Sequence, residues 1–206
     1  SPAWGTIWDV HVELSSAAEK QLAKMPEYIV KKFALWVDLV SVDGLATVRA
    51  IPGYRDHILK GEWKGYRAIR LSNAYRAIYQ ERQAGAFSWS ASRRSTNMTT
   101  RKTKGKGGRE ASELLEGLMG GPLTLGAALS GLREADERSL AEFAKLLGVS
   151  RSHLCDIEQG RRAVSPERAA RFAKALDQSE AQFVRLALQD QIRSAGLRLT
   201  VEVKAA

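Results

Sequence analysis

The sequence predicts two small domains of different architecture. The first is α+β, ordered as strand, two helices and antiparallel meander. The second is all-α, five helices around a helix-turn-helix, with a short terminal strand. Three observations predict this division. All five tryptophans and all five tyrosines lie before Met98, whereas the chain after it is rich in Ala, Leu, Arg and Glu. The first half mixes alternating strands with two helices, whereas the second reads as helices up to its tail. Between the halves runs ASRRSTNMTTRKTKGKGGR, with Arg93, Arg94, Arg101, Lys102, Lys104, Lys106 and Arg109, no acid and no large apolar side chain except Met98. Such a stretch buries no core and reads as a linker. The predicted boundaries are 1–91, 92–108 and 109–206.

The first element is TIWDVHVEL, where Trp8, Val10, Val12 and Leu14 alternate with Asp9, His11 and Glu13, a period-2 strand. SSAAEKQLAKM follows as a short helix capped by Ser15 or Ser16 and stopped by Pro26. EYIVKKFALWVDLVSVDG is a second helix, its apolar stripe formed by Ile29, Phe33, Trp36, Val37 and Val40, with Gly44 as terminator. DHILKG, GYRAIRL, AYRAIYQER and AFSWS are strand-like segments, broken at Gly61–Gly65, Ser72–Asn73 and Ala84–Gly85. Beyond the seam, GREASELLEGLMGG reads as a short helix. TLGAALSGLREADE, SLAEFAKLLG, SRSHLCDIEQG, SPERAARFAKALD and SEAQFVRLALQDQIRSAG are five more, each with a cap or a breaker. In the tail, Leu197, Leu199, Val201 and Val203 alternate and predict the terminal strand.

Composition narrows the function. The chain has 206 residues, 44% hydrophobic and 27% charged, with a formal charge of +9. A basic excess of this size favours polyanions such as DNA or RNA. The single cysteine, Cys155, excludes an internal disulfide and fits a cytoplasmic protein. No apolar run approaches the roughly 20 residues of a membrane span, and the first residues lack a signal-peptide pattern. His11, His57 and His153 are scattered, without metal-ligand spacing to Cys155, and KGKGG has no strand before it and no Lys-Ser/Thr after it. No metal and no cofactor are expected.

The stretch Ser139–Arg162, SLAEFAKLLGVSRSHLCDIEQGRR, carries the most specific chemistry. Leu140, Phe143, Ala144 and Leu147 fall on one helix face, and small Ala144 admits a crossing helix. Gly148 supplies the left-handed stop, Val149 plugs the corner, and Ser139 and Ser150 cap the two helices. At 100° per residue, Ser152, Cys155, Asp156 and Gln159 point away from the core side set by Leu154 and Ile157, with Arg151 flanking them. Short polar groups at the start of a second helix fit the major groove. Arg151 can read guanine, and Asp156 can accept from cytosine. Arg161 and Arg162, just past Gly160, are placed for phosphates. The candidate DNA-binding residues are Ser139, Ser150, Arg151, Ser152, Asp156, Gln159, Arg161 and Arg162. Glu158 is expected in an intradomain ion pair, and His153 as a solvated histidine.

This stretch, with TLGAALSGLRE before it and SPERAARFAKAL after it, resembles the Xre/Cro-type helix-turn-helix family over about residues 123–188. The resemblance implies a five-helix domain, homodimeric on a palindromic operator, its half-sites about 34 Å apart or a multiple of that.

The N-terminal half resembles the RelE/ParE toxin superfamily (HigB-like) over about residues 6–89. The likeness rests on its element order and on IPGYRDHILKGEWKGYRAIRLSNAYRAIYQ, best in GYRAIRL and AYRAIYQ. Many such toxins cut messenger RNA on the ribosome; others poison a topoisomerase. The resemblance implies Lys60, Lys64, Arg67, Arg70 and Arg76 as candidates for an RNA-facing catalytic site, cations that stabilise the extra charge of a phosphate under attack. Arg67 and Arg70 fall on opposite strand faces, so one of them at most is central.

The chain departs from that family where the polar C-terminal segment of the toxin belongs: no His or Tyr follows Trp89 except His153. Met98 opens MTTRKTKGKGG, which looks like the start of a separate antitoxin. Back-translated as TCA ACA AAC ATG ACT ACN and read one base earlier behind a G, residues 95–100 yield Val-Asn-Lys-His-Asp-Tyr, an ending that suits the toxin family. The expectation is a toxin–antitoxin fusion acting as a DNA-binding autorepressor, its toxin half silent. Its partners would be operator DNA, a second copy of the chain and a toxin–antitoxin contact within or between chains. The alternative is an active ribosome-dependent mRNA endoribonuclease, or a gyrase-directed toxin, with a DNA-binding regulatory domain.

Overall fold

A computed structural model of the chain describes residues 12–81, 88–93 and 109–204. Leu14 of strand β1 (Glu13–Leu14) and Val12 just before it are buried, the inward positions of the predicted alternation. Trp8 and Val10 lie outside the described residues. Helix α1 (Ser16–Leu22) begins at Ser15, whose side chain accepts the Ala18 N–H at 3.2 Å. It ends before Pro26, which instead opens α2 (Glu27–Ala50). Gly44, the predicted terminator, does interrupt α2 (φ 77°, ψ 169°), but the chain resumes helical geometry and continues to Ala50.

The meander is present. Strands β2 (His57–Ile58), β3 (Arg67–Arg70), β4 (Tyr75–Gln80) and β5 (Ser88–Arg93) form an antiparallel sheet in sequence order. Strand β5 reaches Arg93, so the first two residues of the predicted linker are still paired, Ser92 with Arg76 and Arg93 with Tyr75. Linker residues 94–108 lie outside the described residues. The chain then re-enters as β6 (Arg109–Glu110), antiparallel to β1. A C-terminal segment thus completes a two-stranded ribbon with an N-terminal one, a pairing two residues long that no periodicity announces.

All the predicted helices form: α3 (Ala111–Met119), α4 (Leu125–Ala135), α5 (Leu140–Leu147), α6 (Arg151–Glu158), α7 (Pro166–Ala175) and α8 (Glu180–Ser194). Thr124 and Ser139, Ser150, Ser165 and Ser179 cap α4 to α8 in turn, each accepting a first-turn N–H that has no partner within the helix. The terminal strand is corrected. Residues 197–204 belong to no sheet among the described residues, and the Gln189 side chain rather than a strand holds their backbone. A strand needs a second backbone for its ladder, and the described residues supply none there.

The core is continuous across both halves. The predicted stripe of α2 is buried, and Lys32, Ala34, Leu35 and Leu39 are buried with it. One side of α2 meets the sheet, where Trp36 packs against Tyr79 (ring centroids 5.3 Å apart). Other sides meet α3 and α4. Gly131 of α4 lies so close to α2 that a Cβ there would stand 2.8 Å from the Lys31 Cβ. Polar groups cross the same seam. Gln182 Nε2 of α8 donates to Leu35 O (2.8 Å) and to Asp38 Oδ2 (2.6 Å), and Arg185 pairs with Asp38.

Candidate nucleic-acid interface

Helices α5 and α6 are set by packing from behind. Phe143, Ala144 and Leu147 of α5 and Leu154 and Ile157 of α6 are buried, as their spacing predicts. Gly148 turns the corner at φ 67°. Gly126 of α4 lets α6 approach to the limit: a Cβ there would stand 2.2 Å from the Ile157 carbonyl oxygen. Arg133 of α4 then grips the far end of α6. Its Nε and Nη2 donate to the two oxygens of Glu158 at 2.7 and 2.8 Å, the bidentate geometry that strengthens such pairs. This is the intradomain pair expected for Glu158. The Glu158 hydrogen bond in turn holds the Arg133 guanidinium above its ordinary pKa.

So held, α6 turns Arg151, Ser152 and Gln159 to solvent, with Cys155 and Asp156 half-buried beside them. Not every candidate group is free. Ser139 is in a capping box: its Oγ accepts the Glu142 N–H (3.2 Å) and donates to Glu142 Oε2 (2.6 Å), so its proton is committed. Hydrogen bonds from the Ser139 side chain and backbone hold Glu142 below the usual carboxylate range. The Ser150 oxygen accepts the His153 N–H at 3.2 Å. Asp156 Oδ1 accepts from both Arg161 Nε (3.0 Å) and Nη2 (2.7 Å), which joins two predicted contacts to each other. Gln159 Nε2 rests on Cys155 Sγ at 3.3 Å. Arg162 is exposed.

His153 is corrected from solvated to half-buried. Its Nε2 lies 3.2 Å from Arg168 Nη1 of α7, and burial, then Arg162 and Arg168, push its pKa down. Arg168 is a cation beside the reading helix that the linear motif did not single out. Its signal was the Ser165-Pro166 cap, which starts a helix three residues before it.

The N-terminal candidates separate. Arg67 lies on the sheet face toward α2, its Nε donating to Asp56 Oδ1 at 2.7 Å; the Asp56 side chain is 1% exposed and also accepts from Tyr79 OH at 2.5 Å. Losing Arg67 would strand a buried carboxylate, a structural duty. Arg70 and Arg76 are cross-strand partners on the other face, as the opposite-face reading of Arg67 and Arg70 requires. Lys60 and Lys64 are exposed around the β2–β3 turn. Around the β3–β4 turn, Arg70 binds Asn73 Oδ1, and Asn73 Nδ2 donates to Glu137 Oε1 (3.1 Å) in the turn after α4. Nearby, the buried Lys32 ammonium finds Asp136 at 3.6 Å. Burial lowers the Lys32 pKa, against the pull of Asp136.

Among the described residues no cluster of metal ligands occurs, and no helix is long and apolar enough to cross a membrane. No curated protein and no solved structure matches the chain. One family model does, over residues 124–186, from the cap of α4 into α8, and identifies that segment as a helix-turn-helix domain, the element of DNA-binding regulatory proteins.

Proposed function

We propose that the chain is a DNA-binding transcriptional repressor of its own operon, a fused toxin–antitoxin protein of the cytoplasm whose RelE-like half is held silent. The observation that carries the first part is the exposed start of α6 within the helix-turn-helix domain, with Arg151, Ser152 and Gln159 toward solvent and Arg162 past its end. The charge of +9 supplies the attraction to phosphate.

Two observations support the second part. The N-terminal half has the strand, helix, helix and meander order of the toxin superfamily. Its cations also face an acidic turn of the other half, Lys32 against Asp136 and the Arg70–Asn73 pair against Glu137. Arg70 and Arg76, like charges directly opposite on one face, remain the best placed of the RNA-facing candidates, because an anion would relieve their repulsion.

The test is a titration of the purified chain against duplex DNA from upstream of its own gene and against a scrambled duplex. At about 150 mM salt, non-specific binding falls at roughly 10⁻⁴–10⁻⁶ M. The native duplex is expected to win by about a thousandfold, and Arg151→Ala to abolish that preference. Equal, weak binding of both duplexes would sink the repressor reading.

A further inference from the structure

We propose that residues 197–203 pair with the same segment of a second copy of this chain, as two antiparallel strands centred on Thr200. One edge of this extended tail is occupied. Gln189 Nε2 donates to Leu199 O (2.8 Å) while its Oε1 accepts the Val201 N–H (2.9 Å), and the Leu197 N–H is bound by Ile192 O (3.1 Å). The Gln189 amide stands where the peptide of a neighbouring strand would. In extended backbone, alternate residues turn their N–H and C=O groups to opposite edges. Arg198, Thr200 and Glu202 therefore turn theirs to the other edge, where among the described residues they have no partner. The side chains are equally uncovered: Leu197 is 50% and Leu199 59% exposed. An open edge flanked by exposed leucines is a template for another strand.

Charge selects the occupant and the register. With Thr200 opposite Thr200 of the second copy, Arg198 stands opposite its Glu202 and Leu199 opposite its Val201, so both ends carry an opposite-charge pair and the apolar side chains share one face. Among the described residues Glu202 meets only Lys204, at 3.4 Å and largely exposed. A centre on Leu199 would set Arg198 against Thr200 and Glu202 against Gly196, with no charge pair, and a centre on Val201 would set Arg198 against Lys204. A segment complementary to itself about one residue gives a two-fold pair, the symmetry a palindromic operator needs. The inference rests on the DNA-binding reading for this consequence, not for its geometry.

The test is sedimentation velocity of the full chain without DNA, from about 1 to 100 μM, since association is set by protomer concentration. The wild type is expected to dimerise. Glu202→Arg, which opposes arginine to arginine twice, should weaken the dimer at least about tenfold. Adding Arg198→Glu should restore it to within about threefold. Leu199→Lys should weaken it irrespective of register. Circular dichroism should be unchanged in all variants, because these side chains are exposed. A wild type that stays monomeric overturns the proposal, as does a dimer indifferent to Glu202→Arg and Leu199→Lys. A dimer weakened by Glu202→Arg but not restored by the charge swap overturns the Thr200 register. A dimer that prefers no duplex sinks the repressor reading alone, and a monomer that still prefers its operator sinks this proposal alone.

Discussion

Gly126 has no room for a side chain, and Gly117 has nothing within 4 Å of where one would be. Both are helical, so alanine raises helix propensity at each, and the outcomes differ only through packing. Gly126→Ala pushes a methyl group into the α6 backbone. It should cost about 1–3 kcal/mol or more, visible as a lowered midpoint in urea, and should weaken DNA binding by moving α6. Gly117→Ala should gain roughly 0.5–1 kcal/mol; a loss there as large as at Gly126 would refute the packing argument. Tyr79 is decided by its partner. Burial first, then its hydrogen bond to Asp56, push its pKa from 10.0 to about 12. The folded value lies above the unfolded one, so the stability it contributes is in place below about pH 10 and is lost as pH rises through about 12. Tyr79→Phe should cost about 1–3 kcal/mol at neutral pH, because Asp56 loses a donor, and should flatten the alkaline fall in a pH series of melts.

Helix α2 is the element on which both halves depend. An isolated amphipathic helix buries one face, but α2 is covered by the sheet and by α3 and α4, which puts Lys32 inside the seam at 5% exposure. Its counterion, Asp136, belongs to the turn after α4 and is half exposed. Asp136→Ala leaves the ammonium without that carboxylate and should cost about 1–2 kcal/mol, a figure discounted for the exposure of the carboxylate. Lys32→Met removes the charge altogether and should be neutral or stabilising, because the desolvation penalty goes with it. Urea denaturation of the two variants separates the cases; equal losses would mean that Lys32 contributes through its attraction to Asp136 and not against its burial.

At the scale of the molecule, one core and one strand pair, β1 with β6, join the halves. The chain should therefore unfold as one cooperative unit. The distribution of chromophores makes this measurable. Every tryptophan precedes Met98, so fluorescence follows the N-terminal half, while α3 to α8 contribute heavily to far-ultraviolet dichroism. The two melting curves should coincide. Two separated transitions would restore the independent domains that the composition of the sequence predicts.

The sequence by itself determined most of the elements, though not β6, the run of α2 past Gly44 or the state of the tail. Serine and threonine caps, the Gly148 turn, the α5 and α6 stripes and the alternating meander strands are signals carried within a few residues of where they act, as is the direction of Arg151, Ser152 and Gln159. What only the tertiary structure decided is which polar groups remain free. Arg67 is claimed by Asp56, Arg133 by Glu158 and Lys32 by Asp136, partners at least eleven residues away that no helical or strand period relates. It also decided that no described strand lies beside the tail and that α2 is buried from several sides. Periodicity reports which face of an element avoids water; how many neighbours then cover it, and which charge meets which, depends on chain segments brought together by the fold.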